Sequence, residues 1–162
     1  MVGFLEWNAS RRQADSAHRR LVAAMVDNNE LRVTRTEELT ALIGRKYPLV
    51  SERIERMRES LQDVFLREHA VSLDSLREQP KKDIRHYLET LGGIPPYVAS
   101  QVLLLSFGGH ALPVDDKTAF LLIEEGVVPE GAEIRQITSY LERQVKASNA
   151  VEAHMKLRAW AD

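Results

Sequence analysis

The run PYVASQVLLLSF, Pro96 to Phe107, constrains this chain more than any other stretch. Gly92 and Gly93 precede it, Gly108 and Gly109 follow it, and Leu103, Leu104 and Leu105 are consecutive. As a helix it presents almost no polar face, so other elements must wrap it. A strand would also accommodate the run, but the helical signals on both sides argue against that. A chain of 162 residues can supply one such wrapping and falls short of two comfortable domains. The expectation is a single domain over residues 1–162.

The rest of the sequence repeats helical patterns, with no strand-like alternation of useful length and no internal repeat. SRRQADSAHRRLVAAMV opens with Ser10 and Gln13 at capping-box spacing and places Ala14, Ala17, Leu21, Val22 and Met25 on one stripe. TRTEELTALIG repeats the start signal with Thr34 and Glu37, buries Leu39, Leu42 and Ile43, and stops at Gly44. After Pro48, residues 51–68 set Ile54, Met57, Leu61, Val64 and Phe65 against a charged remainder. SLDSLRE predicts a short helix, and Pro80 suits the first position of the next, which carries Ile84, Tyr87, Leu88 and Leu91. Asp115 is placed to cap a helix running to Glu125, and two more follow from about Ala132 and Val151. The fold class is all-α, a compact helical domain.

Composition narrows the function. Hydrophobic residues at 44% and charged residues at 28% describe an ordinary folded protein, and a net charge of −2 supplies no global basic field. With no cysteine, disulfides, iron–sulfur clusters and thiolate zinc sites are all ruled out, and no cofactor is expected. The five histidines, His18, His69, His86, His110 and His154, are scattered without metal-ligand spacing. No apolar run reaches the roughly 20 residues of a membrane span. The start MVGFLEWNASRR lacks a signal-peptide pattern, so a non-secreted, cytoplasmic protein is expected, nucleoid-associated if bacterial.

Residues 80–107 read as helix, tight turn, helix, and the turn is Gly92-Gly93-Ile94-Pro95-Pro96. Its glycines permit positive φ and close backbone approach. Unpaired N–H groups at the second helix's start suit a phosphate. SERIERMRES and RRQADSAHRR read first as solvated helix faces, although Arg11, Arg12, Arg19 and Arg20 can touch a phosphate backbone, as can Lys81 and Lys82 at the first hairpin helix's start.

YLETLGGIPPYVASQVLLLSFGGHALPVDDK resembles the helix-hairpin-helix and following Pro-Val-Asp loop of the endonuclease III family of DNA glycosylases. Leu91, Gly93, Ile94, Tyr97 and Ala99 fall in register with the family's hairpin, and Pro113-Val114-Asp115 matches its loop. The resemblance runs from about Glu52 to Val128. It implies duplex DNA as partner and hydrolysis of an N-glycosidic bond on a flipped-out base. Asp115 takes the position of the carboxylate that stabilises the oxocarbenium-like sugar. Gly92, Gly93, Ile94, Pro95 and Tyr97, with Lys81 and Lys82, take the DNA-contacting positions. The backbone carbonyls of Glu89, Leu91 and Ile94 are candidates for a monovalent cation in the DNA complex.

Tyr97 occupies the position of the lysine that forms a Schiff base in bifunctional members. A phenol cannot form that imine, so a monofunctional glycosylase without a β-lyase step is implied. Lys117 has no register with that lysine. Pro95 stands where the family has the hairpin's second glycine and removes one N–H. The family's wedge-bearing N-terminal helix has no counterpart in LVAAMVDNNELRVTRTEEL. Two alternatives therefore stand beside the enzyme: a catalytically inactive, glycosylase-like DNA-binding protein, and a helical protein–protein interaction module whose hairpin is only a corner.

Overall fold

The computed structural model describes all residues 1–162 and contains helices and turns with no β-strand. Its contacts divide into two compact units, Met1–Pro95 and Pro96–Asp162. No helix is long and apolar enough to cross a membrane.

The first unit contains α1 (Val2–Glu6), α2 (Arg11–Ala24), α3 (Asn28–Val33), α4 (Thr36–Ile43), α5 (Val50–Glu68), a 3₁₀ turn (Asp74–Leu76) and α6 (Lys81–Glu89). Helix α5 is the longest, and α1, α3 and α4 all pack on it. Ile54 and Met57 are fully buried on its apolar stripe, as the 3.6-residue pattern requires. The Ser10–Gln13 capping box forms in full, and α2 buries Ala14, Ala17 and Leu21. Val22 departs from the expected stripe and lies 56% exposed.

The anticipated box at Thr34 and Glu37 does not form. Thr34 instead closes the unanticipated α3, and its hydroxyl donates to the Glu30 carbonyl at 2.7 Å. A competing N-cap, Asp27, lies just upstream. Asp27 accepts from the Glu30 N–H at 2.8 Å, and the Glu30 carboxylate accepts from the Val26 N–H at 2.6 Å. That pair captures the helix start, leaving α4 to begin after Arg35 without a side-chain cap.

Arg53 is an unexpected buried cation on α5, with none of its surface exposed. Its guanidinium donates to the carbonyls of Trp7 (2.6 Å) and Pro48 (3.1 Å) and lies over the Tyr47 ring, 4.9 Å from its centroid. These contacts replace hydration around a charge that burial otherwise disfavours.

The second unit contains α7 (Pro96–Phe107), α8 (Asp116–Glu124), α9 (Ile134–Gln144), a 3₁₀ turn (Ala147–Asn149) and α10 (Ala150–Ala161). Helix α7 opens at Pro96 as the sequence predicts, and Tyr97, Val98, Ala99, Leu103, Leu104 and Phe107 are buried. Leu105 is its exception, at 46% exposed. Gly109 then turns back tightly enough to donate its N–H to the Leu103 carbonyl at 2.9 Å. An added Cβ there would meet the Leu103 side chain at 2.5 Å, so this position needs glycine for space. Helix α10 packs on α7 and α8, and α9 packs on α8.

Candidate active site and hairpin

Asp115 is the N-cap of α8, and its Oδ1 accepts from the Thr118 N–H at 2.9 Å and the Thr118 hydroxyl at 2.6 Å. It is 8% exposed, in the extended conformation that N-caps adopt. The positive end of the α8 dipole favours negative charge there. Asp116, in the first helical turn, points outward and is exposed.

Tyr97, in the first turn of α7, is 5% exposed, and its hydroxyl accepts from Arg158 Nη1 at 3.0 Å. Four residues earlier on α10, His154 tilts its ring at 56° to Tyr97, with centroids 6.2 Å apart. Residues four apart share a helix face, so α10 presents His154 and Arg158 together. Burial pushes the His154 imidazole down to about 4, the Arg158 cation adds to the shift, and the Asp115 carboxylate opposes it. The second unit thus brings Tyr97, His154 and the half-buried Arg158 together, with the Asp115 carboxylate near enough to act on the imidazole's charge. Sequence reasoning singled out Tyr97 and Asp115. His154 and Arg158 lie 57 and 61 residues beyond Tyr97, on a helix whose periodicity announces only an amphipathic segment.

The other second-unit candidates have structural partners. The His110 ring bonds the Val145 carbonyl at 2.9 Å, and Lys117 Nζ reaches the Asp162 carbonyl at 3.1 Å. No group of three or more His, Asp or Glu residues is arranged to hold a metal ion.

The hairpin turn is fastened to α5 by its own unit. Arg56 Nη1 donates to the Gly93 carbonyl (3.4 Å) and Ser60 to the Gly92 carbonyl (2.7 Å). The Asp63 carboxylate accepts the Gly92 N–H (2.8 Å), and Arg67 donates to the Thr90 carbonyl (2.7 Å). Burial raises the Asp63 carboxyl, but the Gly92 N–H and the Arg67 guanidinium outweigh it and hold it below the ordinary carboxylate value. Gly93 adopts φ +70°, and a Cβ there would lie 2.6 Å from Glu59 Oε2 and 2.9 Å from the Arg56 carbonyl oxygen.

These contacts bear on the expected DNA-facing groups. The Gly92 N–H is already committed to a carboxylate, and Glu59 sets a second carboxylate against Gly93. Among the candidate cation ligands, the Leu91 carbonyl accepts the Ile94 N–H at 3.4 Å. Pro95 is buried and Ile94 half-buried. Lys81 and Lys82 are exposed, but they begin α6 while the turn follows its end. Nine residues at about 1.5 Å each put them roughly 13 Å from the turn along the axis. Arg20, among the basic residues of α2, donates to the Leu42 and Ile43 carbonyls at the end of α4, while Arg11, Arg12 and Arg19 are exposed.

No protein-family model matches this chain, and no curated protein does. Solved structures share its fold. A trapped endonuclease III–DNA covalent intermediate is 16% identical, with a TM-score of 0.75 over 97% of this chain and 69% of that one. A non-covalent endonuclease III–DNA complex is 15% identical, with a TM-score of 0.74 over the same shares. A 3-methyladenine DNA glycosylase from H. pylori bound to 1,N6-ethenoadenine is 13% identical, with a TM-score of 0.64 over 96% of this chain and 69% of that one. The fold is that of the helical, endonuclease III-like DNA glycosylases.

Proposed function

We propose that this protein binds duplex DNA and hydrolyses the N-glycosidic bond of an extruded nucleotide, without a lyase step. The observation that carries this reading is Asp115, a buried carboxylate at a helix N-terminus in a glycosylase fold, with a tyrosine rather than a lysine at position 97 in the first turn of α7. As the C1′–N bond breaks, positive charge grows on the sugar, and a fixed carboxylate stabilises it. Tyr97 keeps the site from forming an imine, so water is left as the nucleophile. The chain has no cysteine, so it lacks the thiolate donors an iron–sulfur cluster requires, and the chemistry proposed here uses none.

The test is incubation with duplexes bearing uracil, G·T, 8-oxoguanine·A or oxidised pyrimidines, followed by alkali to reveal abasic sites. Alkali-dependent cleavage of at least one duplex is expected, lost in Asp115→Asn. Cleavage without alkali, or full activity of Asp115→Asn, refutes the assignment.

A second reading has its own support. The carboxylates of Asp63 and Glu59 at the hairpin occupy a place where a phosphate would be repelled. They favour a helical interaction module in which the hairpin is a corner, or an inactive relative that binds DNA elsewhere. Duplex affinity that falls steeply with salt supports a DNA-binding protein, whereas no affinity at any salt leaves the interaction module.

A further inference from the structure

Of the five histidines, only His154 is buried, at 2% exposed, and its Nε2 has no hydrogen-bond partner. A buried polar atom without a partner costs about 1–3 kcal/mol, so native structures seldom keep one without a use. Around it stand the Tyr97 ring, the Arg158 guanidinium held by the Tyr97 hydroxyl, and the Asp115 carboxylate, which is near enough to act on the imidazole's charge.

We propose that His154 is a positioning residue whose Nε2 holds the nucleophilic water for attack at the sugar carbon served by Asp115. This inference rests on the glycosylase reading given above. In the step it describes, the water oxygen bonds to C1′ and the C1′–N bond breaks with its electron pair leaving on the base. The water's proton passes to Asp115, and the base takes a proton from solvent. Tyr97 leaves the nucleophile to be water, and a small, mobile nucleophile needs a fixed partner to gain the advantage of orientation. An imidazolium at this place would repel the positive charge growing on the sugar. Burial and the Arg158 cation keep the ring neutral, which leaves one nitrogen able to accept.

The test uses the full chain with nitrogen-15-labelled histidine and a duplex carrying a tetrahydrofuran abasic analogue. On saturation, the His154 Nε2 resonance is expected to move toward the hydrogen-bonded range while the other imidazoles stay in place. In parallel, His154→Phe is expected to slow single-turnover excision about tenfold, the loss of one hydrogen bond, with duplex affinity unchanged. His154→Asn, which restores a polar group, is expected to recover part of that rate. Binding without movement of the His154 resonance overturns this inference and leaves the role of Asp115 intact. Equal rates for the phenylalanine and asparagine variants overturn it as well. Absence of duplex binding overturns both readings together. The resonance measurement is made on the unsubstituted protein, so it stands even if His154→Phe fails to fold.

Discussion

Replacing Gly93 by alanine tests how closely the hairpin is pressed against α5. Two costs add. A non-glycine residue in the left-handed region, here φ +70°, loses about 1–2 kcal/mol. The new Cβ would also lie 2.9 Å from the Arg56 carbonyl oxygen, a backbone atom of a long helix that cannot swing aside. Overpacking of this kind adds about 1–3 kcal/mol. Gly93→Ala is therefore expected to cost about 3 kcal/mol, or roughly 10 °C in Tm for a chain of this size. Two controls separate the contributions. Gly108→Ala carries the same strain at φ +63° with nothing within 4 Å, so it should lose only about 1–2 kcal/mol. At Gly92 the nearest atom to an added Cβ is the flexible Glu59 carboxylate, 3.1 Å away, so Gly92→Ala should cost less than about 1 kcal/mol. Urea unfolding followed by circular dichroism orders the three. Adding Glu59→Ala to Gly93→Ala relieves the 2.6 Å contact but not the backbone one, so recovery should be partial. A loss for Gly93→Ala no greater than for Gly108→Ala, or full recovery on removing Glu59, refutes the close approach of the two backbones.

Asp115 combines a cap and a proposed chemical role, and two substitutions divide them. Asp115→Asn keeps a good N-cap and should leave stability nearly unchanged while abolishing excision; Asp115→Ala should lose about 1 kcal/mol in addition, measured by the same unfolding assay. His154 gives the fold a pH dependence. Unfolded, its imidazole takes up a proton near 6.5; folded, it resists until about 4. The stability it contributes is thus complete above pH 6.5 and lost as pH falls toward 4, by about 3 kcal/mol at most. His154→Phe should flatten that part of the stability–pH curve, and an unchanged slope would refute the buried neutral imidazole.

The helices were legible where a stripe of apolar residues coincided with a strong start signal. Ser10 with Gln13 announced α2, and the glycine pairs and Pro96 bounded α7. The short helices α1 and α3, of five and six residues, are too brief to show a period, and Asp27 with Glu30 outcompeted the box read at Thr34. Asp115 and Tyr97 stand out in the sequence because neighbouring residues in the chain identify their positions. His154 and Arg158 were missed because their meaning depends on partners 39 to 61 residues away. The charged side of α5 misled for a different reason: a polar stripe has the same pattern whether it meets water or carbonyl groups.

That stripe sets what α5 can tolerate. Arg56, Ser60, Asp63 and Arg67, spaced four, three and four residues apart, all bond the backbone between Thr90 and Gly93. A helix turns about 100° per residue, so inserting or deleting one residue between them would swing part of the set off the turn. Side chains along this helix can be exchanged one at a time, each at its own cost, but its length between Arg56 and Arg67 is fixed by the turn it carries.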